Sequence, residues 1–199
     1  MRLLIDTDVF CKVGQCGFLD DVLAIFGATK SDCGRLAALP HMLKRGRLRK
    51  QLGVAVCDNL ISQAEALPVL PDPELSLLDM LNPIADIDPG EAQIFALAAQ
   101  RTLMVITGDK RALSAVKSLG FFCEKLNGRV VVLEAILIHL TSQLGVEFIR
   151  HRIKPLRSID TCIRICFSSN NADPIAGLKS YYAALAKDVE PLRLWKPDL

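Results

Sequence analysis

Two carboxylates stand where short apolar runs end. Asp6 follows Leu3-Leu4-Ile5, and Asp109 follows Val105-Ile106-Thr107-Gly108. Both runs read as buried strands, and an open parallel sheet binds ligands outside the carboxyl ends of its strands. Glu91 lies in the first turn of the helix that feeds the Asp109 strand, so it can point into the same crevice. Carboxylates crowded together require a cation among them or raised pKa values. Oxygen-only ligands of this kind suit Mg²⁺ or Mn²⁺, which keep several waters and can activate one as a nucleophile. Each acid also has a plainer reading. Asp6 and Asp109 are well placed as helix caps, and Glu91 as the partner of Asp88 in a capping box.

The elements around these residues alternate between strand and helix. Leu3-Leu4-Ile5 predicts a first strand, and Phe18 to Phe26 an amphipathic helix closed by Gly27. Arg35 to Lys44 reads as helical with Pro40 as a point of division, and residues 54–67 as helical again. Pro68 to Pro73 is a breaker-rich connection, followed by a short helix from Glu74 to Leu81. Asp88-Pro89-Gly90-Glu91 opens a helix to Gln100, with Asp at the cap, Pro first and Glu third. Leu103 to Ile106 is the second strand, Lys110 to Leu119 a helix, and Phe121-Phe122-Cys123 a third short strand. That order predicts an α/β fold, a parallel sheet flanked by helices. Long helices follow at Val131–Leu144 and Asp173–Lys187, while Ile159–Phe167 is β-rich without an assigned place. The expected organisation is residues 1–130 as the α/β domain and 131–199 as a mainly helical C-terminal extension.

Composition narrows the function classes. A chain of 199 residues that is 51% hydrophobic can bury a sizeable core, which excludes disorder over most of its length. The most apolar run, Val130 to Leu140, carries Glu134 and His139 and falls short of the ~18 residues a spanning helix needs. An acid at position 6 interrupts the apolar start that an export signal would continue, so a cytoplasmic protein is expected. Seven cysteines, none in a Cys-x-x-Cys pair, read as reduced and mostly interior. A net charge of +2 carries no message about nucleic acid, but the distribution does. Lys44, Arg45, Arg47, Arg49 and Lys50 put five cations in seven residues, a candidate phosphate-backbone contact or else a solvated helix end. His151, Arg152, Lys154 and Arg157 form a second basic stretch.

Three segments together, Leu3 to Val9, Pro89 to Ala98 and Val105 to Leu113, resemble a PIN domain over roughly residues 1–125. The resemblance lies in their order: a strand ending in Asp, a distant helix that begins with an acid, and a strand ending in Thr-x-Asp. It implies a PIN-like sheet and a metal-dependent nuclease that hydrolyses RNA. Asp6, Glu91 and Asp109 would be the metal ligands and catalytic acids, holding Mg²⁺ or Mn²⁺. Asp8 or Thr7 would support the first, and Thr107 would steady the last loop. Many members are toxins of toxin–antitoxin pairs, so an antitoxin-like protein joins RNA among the implied partners, while the apolar helix Val131–Leu144 and the C-terminal extension offer a surface for a homodimer. One departure stands out. The family usually carries another acid on the helix after its second strand, whereas Arg35 to Leu43 contains none; Asp8, Asp32 and Asp58 are the candidates to replace it.

Two other functions compete. A PIN-like domain lacking one acid can be a non-catalytic module that binds RNA or a protein, with Val131–Leu144 as an interface. Asp6-Thr7-Asp8 also resembles the Asp-x-Asp of haloacid dehalogenase-like phosphatases, with Asp6 and Asp8 as nucleophile and acid/base. Against it, Phe10 stands where that pattern has Thr or Val, and Glu91 has no role.

Overall fold

β1 (Leu3–Ile5) is buried at every position, as a strand covered on both faces must be. It is the inner partner of β2 (Cys33–Gly34) and β3 (Met104–Ile106), and β4 (Val130–Val131) extends the far side of β3. All pairings are parallel and the order is β2-β1-β3-β4. The computed structural model describes residues 1–168 and 173–197. The protein is therefore α/β, a four-stranded parallel sheet flanked by helices.

Helices α1 (Thr7–Gln15) and α2 (Leu19–Ile25) join β1 to β2. Five helices lie between β2 and β3: α3 (Leu39–Lys44), α4 (Arg47–Leu52), α5 (Val54–Glu65), α6 (Leu75–Leu81) and α7 (Pro89–Arg101). α8 (Lys110–Val116) and α9 (Gly120–Leu126) lead to β4, then α10 (Leu133–Leu144), α11 (Val146–Arg152), α12 (Thr161–Cys166) and α13 (Pro174–Asp188) complete the described chain. Among the described residues no helix is long and apolar enough to cross a membrane.

Alternation along the strands divides the interior into two cores. Leu3, Ile5, Ile106 and Val131 face one core with Phe10, Leu60, Ile136 and Phe167. Leu4, Val105 and Val130 face the other, with Phe95, Leu97, Leu113 and Phe122. α7 buries residues all round its circumference, from Ala92 through Ala99 with only Gln93 exposed, so it is an interior helix rather than an amphipathic cover.

Residues beyond 130 enter both cores: Ile136, Ile149 and Ile163 the first, Leu185, Val189 and Leu194 the second. The Trp195 N–H donates to the Val130 carbonyl at 2.8 Å and Leu194 bridges Val130 in parallel, so the C-terminal segment lines the open edge of β4. α10 spends its apolar residues inside the molecule, Leu133, Ala135, Ile136, Leu137, Ile138 and Leu140 all being buried.

Several local expectations need correction. Phe121-Phe122-Cys123 is helical, within α9, and the strand is Val130–Val131 instead. Phe122, Cys123 and Leu126 are buried while Phe121 is exposed, a helical spacing that a three-residue apolar run conceals. Thr7–Gln15 forms helix α1, with Asp6 in extended conformation at its cap position and Val9, Phe10 and Val13 burying one face. Ile159–Phe167 contains α12, started by Asp160, whose side chain accepts the Ile163 N–H at 3.1 Å; the cap and burial of Ile163 override its β-rich composition. The helix expected from Arg35 begins at Leu39, with Pro40 in its first turn, where a missing N–H costs nothing. The residues before it, Cys33–Gly34, form β2. Among the described residues no two cysteines are joined, and all but Cys162 are buried.

Candidate active site

The strand order places a topological switch point between β1 and β3, the position at which doubly wound sheets open a crevice. Register brings the two strand ends level: Ile5 pairs with Ile106, and the Asp6 N–H donates to the Ile106 carbonyl at 2.9 Å. A cavity of about 790 Å³ opens there. Asp6, Asp8, Asp88, Glu91 and Asp109 all line it. Asp6 and Asp8 come from the β1–α1 junction, Asp88 and Glu91 from the start of α7, and Asp109 from the start of α8.

The capping box at α7 forms in both directions. Glu91 N–H donates to Asp88 Oδ1 at 2.8 Å, and Asp88 N–H donates to Glu91 Oε2 at 2.8 Å. Asp109 caps α8, its Oδ1 accepting the N–H groups of Arg111 at 2.8 Å and Ala112 at 3.0 Å. Thr107 is buried below the loop, and its Oγ1 accepts the Asp109 N–H at 3.2 Å. Asp8 carries its own counterion: Lys12 Nζ lies 2.9 Å from Asp8 and 2.9 Å from Asp160.

Asp6 has neither a side-chain cap bond nor an ion pair among the described residues. Burial pushes its carboxyl up to about 6, with the charge of Asp8 and, more weakly, Asp88 adding to the effect; the N–H groups of Thr7 and Asp8 oppose it. Burial likewise raises Glu91 to about 7, opposed by the Asp88 N–H and reinforced by the charges of Asp88, Asp109 and Asp6. Two acids in one crevice are thus held well above the usual carboxylate range, chiefly by burial and in part by neighbouring carboxylates.

No family model, curated protein or solved structure matches this chain. The site is therefore read from its own chemistry. Its donors are all carboxylate oxygens that repel one another, a set suited in kind to a hard divalent cation. Their present conformations do not make a ready cage, since among the described residues no group of three or more Asp, Glu, His or Cys stands in metal-holding geometry. The cap bonds account for this, because Glu91 Oε2 and Asp109 Oδ1 are turned onto their own helices.

Of the candidates to replace the missing acid, Asp8 lines the crevice. Asp32 does not; it closes a capping box with Thr29, accepting its N–H at 3.1 Å. Asp58 faces Arg49 at 2.8 Å. Asp88 is a fifth crevice acid that the sequence presents only as a helix cap. Its signal was its place beside Glu91, since a cap shares the N-terminal end of the helix with whatever binds there.

The basic run also divides. Lys44 lies 3.7 Å from Glu65, and Arg49 is engaged by Asp58. Arg45 and Lys50 are outside the crevice lining, and Arg47 is within it. In the second stretch Arg152 is structural: it donates to the carbonyls of Cys16 at 2.8 Å and Gly17 at 3.0 Å, and lies over Phe18 and Phe148.

Replacing Asp88 with Ala removes the acceptor for the Glu91 N–H and is expected to cost about 1 kcal/mol, read as a lower urea midpoint. It also removes one of the charges that raise Glu91, so the Glu91 carboxyl will titrate at lower pH in the variant, measurable by NMR.

Proposed function

We propose that the crevice hydrolyses RNA phosphodiesters and that the protein is a Mg²⁺- or Mn²⁺-dependent ribonuclease of PIN type. The observation that carries this reading is the convergence of Asp6, Glu91 and Asp109 from three separate elements on one cavity at the β1–β3 switch point. Asp6, Glu91 and Asp109 would hold the ion, with Asp8 beside them. When bound, the cation would activate a water and stabilise negative charge developing on the phosphate. The chain's own contribution is positional. Thr107 fixes the loop that presents Asp109, and the capping box fixes the turn that presents Glu91. Without an ion, burial and the neighbouring carboxylates favour the protonated form of Glu91, so a bound cation would have to displace that proton. The setting of a toxin restrained by a protein antitoxin follows from the resemblance of the sequence motifs.

The cap bonds of Glu91 and Asp109 favour a second reading, a PIN-like module that binds RNA without cutting it. Incubation with mixed-sequence single-stranded RNA separates the two. Cleavage that needs Mg²⁺ or Mn²⁺, stops with EDTA and falls at least about tenfold in Asp109→Asn supports the ribonuclease. Binding without cleavage in either ion supports the module.

A further inference from the structure

One element on the crevice rim is anchored unlike the rest. None of the six residues of α4, Arg47–Leu52, is buried, whereas α5 next to it buries Cys57, Leu60, Ile61 and Ala64. Leu48 and Leu52 rest against the edge of the core, and Arg49 holds Asp58 at 2.8 Å. Both ends of α4 are glycines in a backbone region that is open almost only to glycine: Gly46 at φ 99°, ψ −153° and Gly53 at φ 85°, ψ 162°. A Cβ at either position would meet no heavy atom within 4 Å, so backbone conformation and not crowding makes glycine the residue there. A short helix between two such joints can swing as a unit while α3 and α5 stay packed.

Arg47, Leu48 and Gln51 of α4 line the same cavity as the acids. Among the described residues Arg47 has no carboxylate partner, in contrast to Lys44 and Arg49. A guanidinium presents a planar set of donors that match two phosphate oxygens at once. Leu36, Ala37, Ala38 and Met42 give the same cavity an apolar wall on which a base or ribose can lie.

We propose that α4 is a lid hinged at Gly46 and Gly53 that closes when single-stranded RNA enters the crevice and places Arg47 on a backbone phosphate. This rests on the ribonuclease reading and adds to it the group that receives the substrate.

The test combines fluorescence anisotropy with hydrogen exchange, using the full chain and a labelled mixed-sequence single-stranded RNA with Ca²⁺ as the ion. Arg47→Gln is expected to weaken Kd by about fivefold and to reduce the slope of log Kd against log salt by about 0.7, the value for one lost phosphate contact. Lys187→Gln, exposed in the last turn of α13 and away from the cavity, is expected to change Kd by less than about twofold. In the free protein the α4 amides exchange faster than those of α5, and RNA slows them in the wild type. RNA that binds without protecting α4 overturns the hinge. RNA that binds Arg47→Gln as tightly as wild type overturns the phosphate contact. Either result leaves the ribonuclease reading intact. No binding of RNA, together with no cleavage in Mg²⁺ or Mn²⁺, overturns that reading and the lid with it.

Discussion

Asp6→Asn is expected to make the protein more stable and less active. Asp6 is held at a pKa of about 6, from an ordinary 3.8, so the folded state prefers the protonated carboxyl. The stability linked to its protonation is fully present below about pH 4 and is lost as pH rises through about 6, so relative to a neutral side chain the ionised form is a cost above that. Each tenfold change in acidity is worth about 1.4 kcal/mol, and after allowance for partial solvent screening the cost at pH 7.5 is about 2 kcal/mol. Asn has nearly the same shape as Asp and carries no charge to desolvate. Urea unfolding should therefore give the variant a stability advantage of about 2 kcal/mol at pH 7.5 that shrinks towards zero near pH 4. Glu91, raised from 4.5 to about 7, has the same sign, so the wild type also loses stability as pH climbs through 7. On the ribonuclease reading the same substitution lowers cleavage by roughly 10²- to 10³-fold. Millimolar Mn²⁺ then raises the melting temperature of the wild type far more than that of Asp6→Asn, because an ion that binds only the folded state stabilises it by mass action. Equal stability of the two proteins at pH 7.5 without metal would show that burying the Asp6 charge costs the fold nothing.

Phe95→Ala is the largest stability loss expected of a single substitution in α7. Phe95 is 1% exposed and sits in the core that also contains Leu4, Val105 and Phe122. Its removal takes away the transfer energy of a full aromatic side chain and leaves a cavity, about 3–5 kcal/mol together. Against a typical total of about 5–15 kcal/mol, that is enough to leave a measurable unfolded fraction near physiological temperature. Phe95 lies one turn after Glu91, so the loss also loosens the helix that presents Asp88 and Glu91 to the crevice. Phe121→Ala is the control. Phe121 is 41% exposed on α9, and its truncation is expected to cost less than about 1 kcal/mol. Guanidinium midpoints for the pair report the difference directly. A large loss at Phe121 would place that side chain inside, as the strand expected from Phe121-Phe122-Cys123 would have required.

The contrast between those two phenylalanines shows where local reading works. Leu3-Leu4-Ile5 and the run to Ile106 are legible as strands because a segment buried on both faces must be apolar throughout. The start of α7 is legible to the residue, because Asp88, Pro89 and Glu91 satisfy N–H groups within one turn and need nothing from the rest of the chain. Three adjacent apolar residues at 121–123 carry no such internal reference, and only the neighbours that bury Phe122 decide that they are helical. The same holds for α1 and α12, whose β-branched residues point one way locally while burial of Val9, Val13 and Ile163 settles the other.

From sequence alone came the class of the fold and the identity of three acids at strand and helix ends, because capping, burial and strand-end placement are properties of a few consecutive residues. Tertiary structure alone decided which acids share a cavity. Asp8 and Asp88 line it with Asp6, Glu91 and Asp109, while Asp32 and Asp58 are taken up by Thr29 and Arg49. It also selected Arg47 from a run of five cations. Those choices depend on the parallel pairing of residues about a hundred positions apart, Ile5 with Ile106, and on ion pairs between separate helices. No window of neighbouring residues contains that information, because charge repulsion and cavity walls exist only once the strand ends stand side by side.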